Sequence, residues 1–421
     1  MDVQPYRDLL RIPGVARLLG FSIFARVPRA AMGVVLTLHV VLGLDQGYGA
    51  AGLLVAAFTV GSALGAPWRG RAVDRLGLRR ALAPSLAAEA AFWGASPFLG
   101  YEALLVTSLI YGVLAVPTFG IIRQSLGVMV PAERQRPAFA LDSMSVEVTF
   151  MIAPAAAVLV ATQVSTTVAL VASGVANVAS GVWFFLLDPP TRSADGAAAG
   201  AVPHATDGRR PAWLTTPMAL LLVTTVGALL VLGGTDVAIV ASLREQDAVG
   251  LATVVFLMWS VGSLAGGLVF GAMHRPVSPA LLLLVMGLAT APMGFAPGPW
   301  WLALAILPAG VLCAPVLSAT AATATALAPE RVRGEVMGWY GSAMTAGLSL
   351  GAPLAGQAAD VLGGWGGFFA VGVTGAAVGG AVLVAETARR SRAVVPAMPV
   401  GSADETAPEK RSVSVTGGDL R

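Results

Sequence analysis

The chain has 421 residues, of which 56% are hydrophobic and only 12% charged, with a formal net charge of +3 and a pI near 9.4. A water-soluble chain is about a quarter charged, so this composition excludes an ordinary soluble globule and points to a chain that faces lipid. The positive balance does not mark a nucleic-acid partner, because the basic residues lie between apolar runs with no aromatic-basic stripe.

A membrane helix needs about 20 mostly apolar residues, and the sequence offers twelve such stretches. Residues 1–14 are short and polar, and the run after them lacks a small-residue cleavage site, so 15–41 reads as a retained first helix rather than a secretory signal. It carries Arg26 and Arg29, one turn apart, with Pro28 between them. The second stretch, 49–68, leads into a charged connection, Gly70 to Arg80, read as a loop. The third, 81–99, holds Glu89. The fourth, 103–122, contains GVLAVP and runs out at Arg123. The fifth, 138–161, has Asp142 near its start and Glu147 about 15 Å in, near the midplane at ~1.5 Å rise per residue. The sixth, 166–187, holds Asn177.

Residues 188–216, rich in Pro, Gly and Ala, read as a flexible linker on the cytoplasmic side. Six further stretches follow: 217–242 with Asp236 near its outer end, 249–272, 279–296, 301–327, 334–359 and 364–386. Residues 387–421 are polar and read as a disordered tail.

The two groups of six repeat one another. GVLAVP at Gly112–Pro117 returns as GVLCAP at Gly310–Pro315. Val60-Gly61-Ser62 with Gly65 and Gly70 returns as Val261-Gly262-Ser263 with Gly266 and Gly271. Glu133-Arg134 and Ala153-Pro154 return as Glu330-Arg331 and Ala352-Pro353. Matches in order at nearly constant spacing imply one six-helix unit written twice, 1–187 and 217–386, in parallel orientation because six crossings return the chain to its starting side. With the N-terminus inside, inner connections and tails hold 22 of the 26 Lys and Arg residues and the outer loops only Arg244, so both termini are expected in the cytoplasm and the chain in the cytoplasmic membrane.

The sharpest motif is GRAVDRLGLRR, Gly70 to Arg80. Its Gly70, Asp74, Arg75, Gly77, Arg79 and Arg80 fit the signature loop of the major facilitator superfamily, and the twelve stretches in two halves extend the resemblance along nearly the whole chain. RGEVMGWYGSAMTAGLSLGAPLAG, Arg333 to Gly356, is similar to helix 11 of that family. The resemblance implies an all-α transporter in which two six-helix bundles rock about a central site. It also implies that Asp74 contacts the start of helix 11 near Gly334 and an arginine at the inner end of helix 4, here Arg123, latching the cytoplasmic side. Arg79 and Arg80 equally suit simple topology markers. The second half departs from the motif with GAMHRPVSP, which has no acid, and helix 5 keeps Pro154 without the family's antiporter glycines.

Charges inside apolar stretches cost about 3 kcal/mol each at the bilayer centre and call for a role. Glu147 is the leading proton-coupling candidate, because a carboxyl that alternates between apolar and cation-flanked surroundings takes and releases a proton. Arg26 and Arg29 suit an anionic substrate, or a static Arg26–Glu147 pair that locks the first half. Glu89 is a second proton-coupling candidate, although helix 3 is expected to face a neighbour or lipid headgroups. Asp142 is expected at the interface. Asn177 and Asp236 are substrate-binding candidates, and Trp93, Trp259 and Trp339 suit either a cavity wall or interface anchors.

Cys313 is the one cysteine, which rules out a disulfide within the chain and a thiolate metal cluster. The one lysine, Lys410, lies in the tail, so no P-loop is present to hydrolyse ATP. With no cofactor expected, a gradient must supply the work, and protons fit Glu147. Export of a small organic compound by a monomer, similar to bacterial drug-efflux members, is the leading expectation. Uptake of an anionic metabolite and a transporter-shaped sensor remain open.

Overall fold

The computed structural model describes residues 4–191, 213–273 and 277–394. The described part of the 188–216 linker is its two ends, and the tail beyond 394, with His204 and His274, lies outside the described residues. Among the described residues the regular structure is entirely helical.

A short surface helix α1 (Gln4–Leu10) precedes α2 (Val15–Leu38), which continues as a π-helical turn through Gly43. Then come α3 (Tyr48–Leu76), α4 (Leu78–Ala95), α5 (Tyr101–Leu114), α6 (Thr118–Met129), α7 (Gln135–Gln163) and α8 (Thr166–Leu187). The second half holds α9 (Thr216–Glu245), α10 (Ala252–Ala272), α11 (Pro279–Thr290), α12 (Pro299–Ala305), α13 (Leu307–Leu327), α14 (Arg333–Leu362) and α15 (Gly364–Val394).

Every one of the twelve predicted stretches falls on a helix. Among the described residues, nine are long and apolar enough to cross a bilayer, and Pro279–Phe295 is a shorter apolar helix. The helices at Leu78–Ala95 and Arg333–Leu362 fall outside that group: the first carries Arg79, Arg80 and Glu89, and the second is only weakly apolar along its Gly-, Ser- and Thr-containing body. Four boundaries differ from expectation. The Gly70–Arg80 segment is not a loop: α3 runs on through Leu76, and Gly77 alone, at φ 80°, turns the chain into α4. The fourth stretch is two helices, α5 and α6, parted at Ala115-Val116-Pro117, and the tenth is α12 and α13, parted at Ile306. The last helix runs about two turns past 386, into the expected tail, through a segment rich in Ala and Arg, both good helix formers.

The repeated glycines explain how each half is tied together. A Cβ on Gly65 would run into the Val113 carbonyl of α5, and one on Gly266 into the Val311 carbonyl of α13. The same small-residue face therefore sets the same backbone-to-backbone crossing in both halves, as small-xxx-small pairs do in membranes. Large apolar side chains on the outside, among them Leu64, Leu159, Val175, Leu186 and Val384, are exposed. Their area has no protein neighbour and is matched to lipid. Phe98, Phe295, Trp300 and Trp301 are exposed at the connections α4–α5 and α11–α12, where amphipathic rings suit the headgroup level.

Candidate functional site

A cavity of about 1500 Å³ lies between the two halves. Its walls come from α2, α3, the α5–α6 junction and α7 on one side and from α9, α10, α13 and α14 on the other. Helices α4, α8 and α11 stand outside this ring. The lining is mainly apolar, with Phe58, Phe150, Phe256 and Trp259, and carries the ionisable Arg29, Arg69, Glu147 and Asp236.

One end of the cavity is shut. The Asp74 carboxylate accepts hydrogen bonds from the backbone N–H groups of Gly334 and Glu335, both at 2.8 Å. These are unsatisfied amides of the first turn of α14, where a carboxylate meets both free donors and the positive end of the helix dipole. Arg71 adds an ion pair to Glu335 at 2.9 Å. A Cβ on Gly70 would collide with the Gly334 carbonyl, so only glycine lets α3 and α14 close this far. At the same end Ser318 donates to the Phe139 carbonyl at 3.1 Å, and Tyr6 of α1 donates to the Leu268 carbonyl of α10 at 2.7 Å. Lining residues Arg244, Glu245 and Asp360, at the opposite ends of their helices, are solvent-exposed. The cavity is therefore closed at the Asp74 end and open at the other.

The predicted Arg123 contact is replaced. Gln124, not Arg123, reaches Asp74, at 3.4 Å. Arg123 instead binds Asp142 through Nε at 3.0 Å, lies over the Tyr340 ring and touches the Met344 sulfur of the second half. Helix α6 turns these adjacent side chains about 100° apart, so they serve different partners. Asp142 is not interfacial but fully buried, held on its other oxygen by Arg26 at 2.6 Å. Arg26 also donates to Ser145 at 2.7 Å. Both arginines are spent on one carboxylate inside the first half, so Arg26 neither pairs with Glu147 nor reaches the cavity.

Arg29 does reach it. Its guanidinium binds Glu89 at 2.6 Å and the Tyr111 hydroxyl at 2.7 Å. Glu89 faces neither lipid nor headgroups: it is fully buried behind Arg29, accepting a further hydrogen bond from Tyr111 at 2.9 Å. Trp93 donates to Tyr111 in the same cluster, Trp259 lines the cavity, and Trp339 is exposed beside Trp213.

Glu147 stands on the cavity wall and takes a hydrogen bond from the Cys313 thiol across the seam at 2.9 Å. Among the described residues no cation lies within ion-pair distance of it. Asp236 lies on the wall from α9. Asn177 is buried and donates back to the Ser173 carbonyl one turn earlier, so it belongs to the packing of α8 and not to the cavity. Arg75 and Arg80 are exposed, and Arg79 joins the Asp188 carboxylate at 3.2 Å and the carbonyls that end α8. Sequence reasoning missed Arg69, Tyr111, Gln124 and Cys313. Arg69 sits in WRGR, at the edge of a charged run, and reads as one more topology marker until its side chain is seen to turn inward.

A sequence model described as the Major Facilitator Superfamily matches residues 18–297. No curated protein matches the sequence significantly. Solved structures do overlay it. The human organic anion transporter MFSD10 (TETRAN) aligns with TM-score 0.66 at 15% identity, covering 90% of this chain and 99% of its own. A bacterial homologue of the iron transporter ferroportin in an outward-facing state gives 0.67 at 16%, with 90% and 99% covered. The E. coli fucose:proton symporter gives 0.63 at 16%, with 89% and 99% covered. These likenesses are likenesses of fold. With the family pattern running through two thirds of its length and the Asp74 latch seated on α14, the chain belongs to the Major Facilitator Superfamily.

Proposed function

We propose that the protein is a secondary active transporter that moves a small organic molecule across the cytoplasmic membrane by alternating access. Twelve crossings in two six-helix bundles, with both termini cytoplasmic and the Asp74 end inside, make the described conformation outward-open. The linker and tail join and follow the bundles on the cytoplasmic side, and the unit works as a monomer in lipid without a cofactor. The observation that carries this reading is a large cavity between the halves, sealed at one end only, with Glu147 on its wall and, among the described residues, no cation within ion-pair distance of it.

Glu147 exchanges the proton. It bonds to Cys313 of the other half, so its surroundings change when the halves rock, as a coupling carboxyl requires. The direction we favour is export in exchange for protons, supported by the mainly apolar lining that suits drug-like compounds. Arg29 on the wall supports the second reading, proton-driven uptake of an anionic metabolite. Vesicles separate the two. Export predicts accumulation of a drug-like dye in inside-out vesicles when the lumen is made acid, and its loss in Glu147→Gln. Acid-driven uptake into right-side-out vesicles, with no accumulation in the inverted ones, would overturn export.

A further inference from the structure

The repeat holds an asymmetry. GVLCAP lies inside the continuous helix α13, with Pro315 accommodated, whereas GVLAVP breaks the chain between α5 and α6. Proline is common to both copies, so proline alone does not open the helix. The copies differ within the hexapeptide, Ala115-Val116 against Cys313-Ala314, and also at the residue before the repeated glycine: Arg69 precedes Gly70, and Phe270 precedes Gly271. Arg69 donates to the Gly112 carbonyl at the end of α5 at 2.9 Å and weakly to the Ser62 carbonyl at 3.4 Å. Ser62 is two turns earlier in α3, so the guanidinium points along the helix toward the membrane's middle. An arginine placed for topology would stretch the other way, to the interface.

Arg69 is a buried cation short of a counter-charge. It is 5% exposed, its Nε has no partner, and among the described residues no carboxylate lies within ion-pair distance. Arg29 also leaves its Nε unpartnered, and its charge is already met by Glu89. Both arginines are among the residues that line the cavity. So does the start of α6, from Pro117 to Ile121, and no side chain caps that helix. A broken helix whose N-terminus faces a central cavity offers free amides and the positive end of its dipole to an anion. A desolvated cation with no counter-charge is costly, and an anion seated between it and α6 would meet both needs.

We propose that Arg69, Arg29 and the first turn of α6 form an anion-binding subsite that holds the carboxylate or sulfonate of an organic substrate. The apolar body of that substrate lies against Phe58, Phe119 and Phe150. The assignment rests on the transport reading of the same cavity and names its substrate class. Arg69 also caps α5, so the test must separate a binding loss from a structural one.

The probes are 2-naphthalenesulfonate and its neutral isostere 2-naphthalenesulfonamide, measured by thermal stabilisation of the purified full-length protein in detergent. The wild type is expected to bind the anion about tenfold more tightly than the isostere, one charge-assisted hydrogen bond's difference. Arg69→Gln should erase that preference and leave the isostere's affinity unchanged, and Arg69→Lys should keep most of it. Should Arg69→Gln fail to fold, Gly120→Cys decides the matter: a Cβ there has space, with only the Pro117 ring at 4.0 Å. The sulfonate should slow maleimide labelling of that cysteine, and the isostere should not. Equal binding of both probes by the wild type, an unchanged preference in Arg69→Gln, or equal labelling of Gly120→Cys with either probe overturns the subsite. Anion preference without any flux in vesicles upholds the subsite and sinks the transport reading; Glu147-dependent flux without anion preference does the reverse.

Discussion

Asp142 shows why a charge in an apolar stretch is not automatically a ligand group. Two arginines close on it, and all three side chains are out of contact with water. Removing one member leaves an uncompensated buried charge, which costs about 3–5 kcal/mol. Asp142→Asn should therefore lower the melting temperature in detergent sharply, while Asp236→Asn, on the cavity wall, should hardly move it. Tyr6 supplies a pH-dependent contact outside the membrane-spanning helices. Burial pushes its phenol up to about 12. The neutral hydroxyl donates to Leu268, so this contribution is complete below the free phenol value of about 10 and is lost as pH rises through about 12. Wild type should lose stability in that window and Tyr6→Phe should not, read as melting temperature against pH.

Among the elements, the contacts that matter are backbone to backbone. Gly65→Leu would drive a side chain into α5 and is expected to cost about 1–3 kcal/mol or more, since the obstacle is a carbonyl rather than a flexible side chain. Gly266→Leu should cost a similar amount against α13, and thermal unfolding of the two variants checks that the repeat is one packing device used twice. The join of α3 to α14 is different in kind, because on the alternating-access proposal it opens during the cycle. Asp74→Asn keeps one acceptor oxygen and loses the charge that the first turn of α14 stabilises, so the closed end should loosen with little loss of fold.

For the molecule as a whole, that loosening is measurable as access. A cysteine at Val240, exposed on the cavity wall, should react with a membrane-impermeant maleimide from the open end, while one at Thr325, buried against Gly127 at the closed seam, should not react from the other. Asp74→Asn should slow the first and speed the second, as expected when one population grows at the other's expense. No change in either rate would mean that the Asp74 contact does not set the balance between open ends.

The sequence alone was enough for the helical membrane class, the approximate place of the apolar helices and the family motif. These follow from hydropathy, which is a sum over neighbours in the chain, and from glycines whose spacing repeats. It also marked Asp74 and Gly334 as partners, because a motif carries that pairing with it. The partners of the buried charges were not legible. Arg26 and Glu147 share a depth, but which arginine meets which acid depends on the azimuth of each helix, and that is set by packing between segments distant in sequence. Hence Arg26 went to Asp142, Glu147 to Cys313, and Gln124 to the place expected for Arg123. The break at Ala115–Pro117 was equally hidden, because its near-copy in α13 stays helical, and the Arg69 side chain that meets the end of α5 comes from a neighbouring helix.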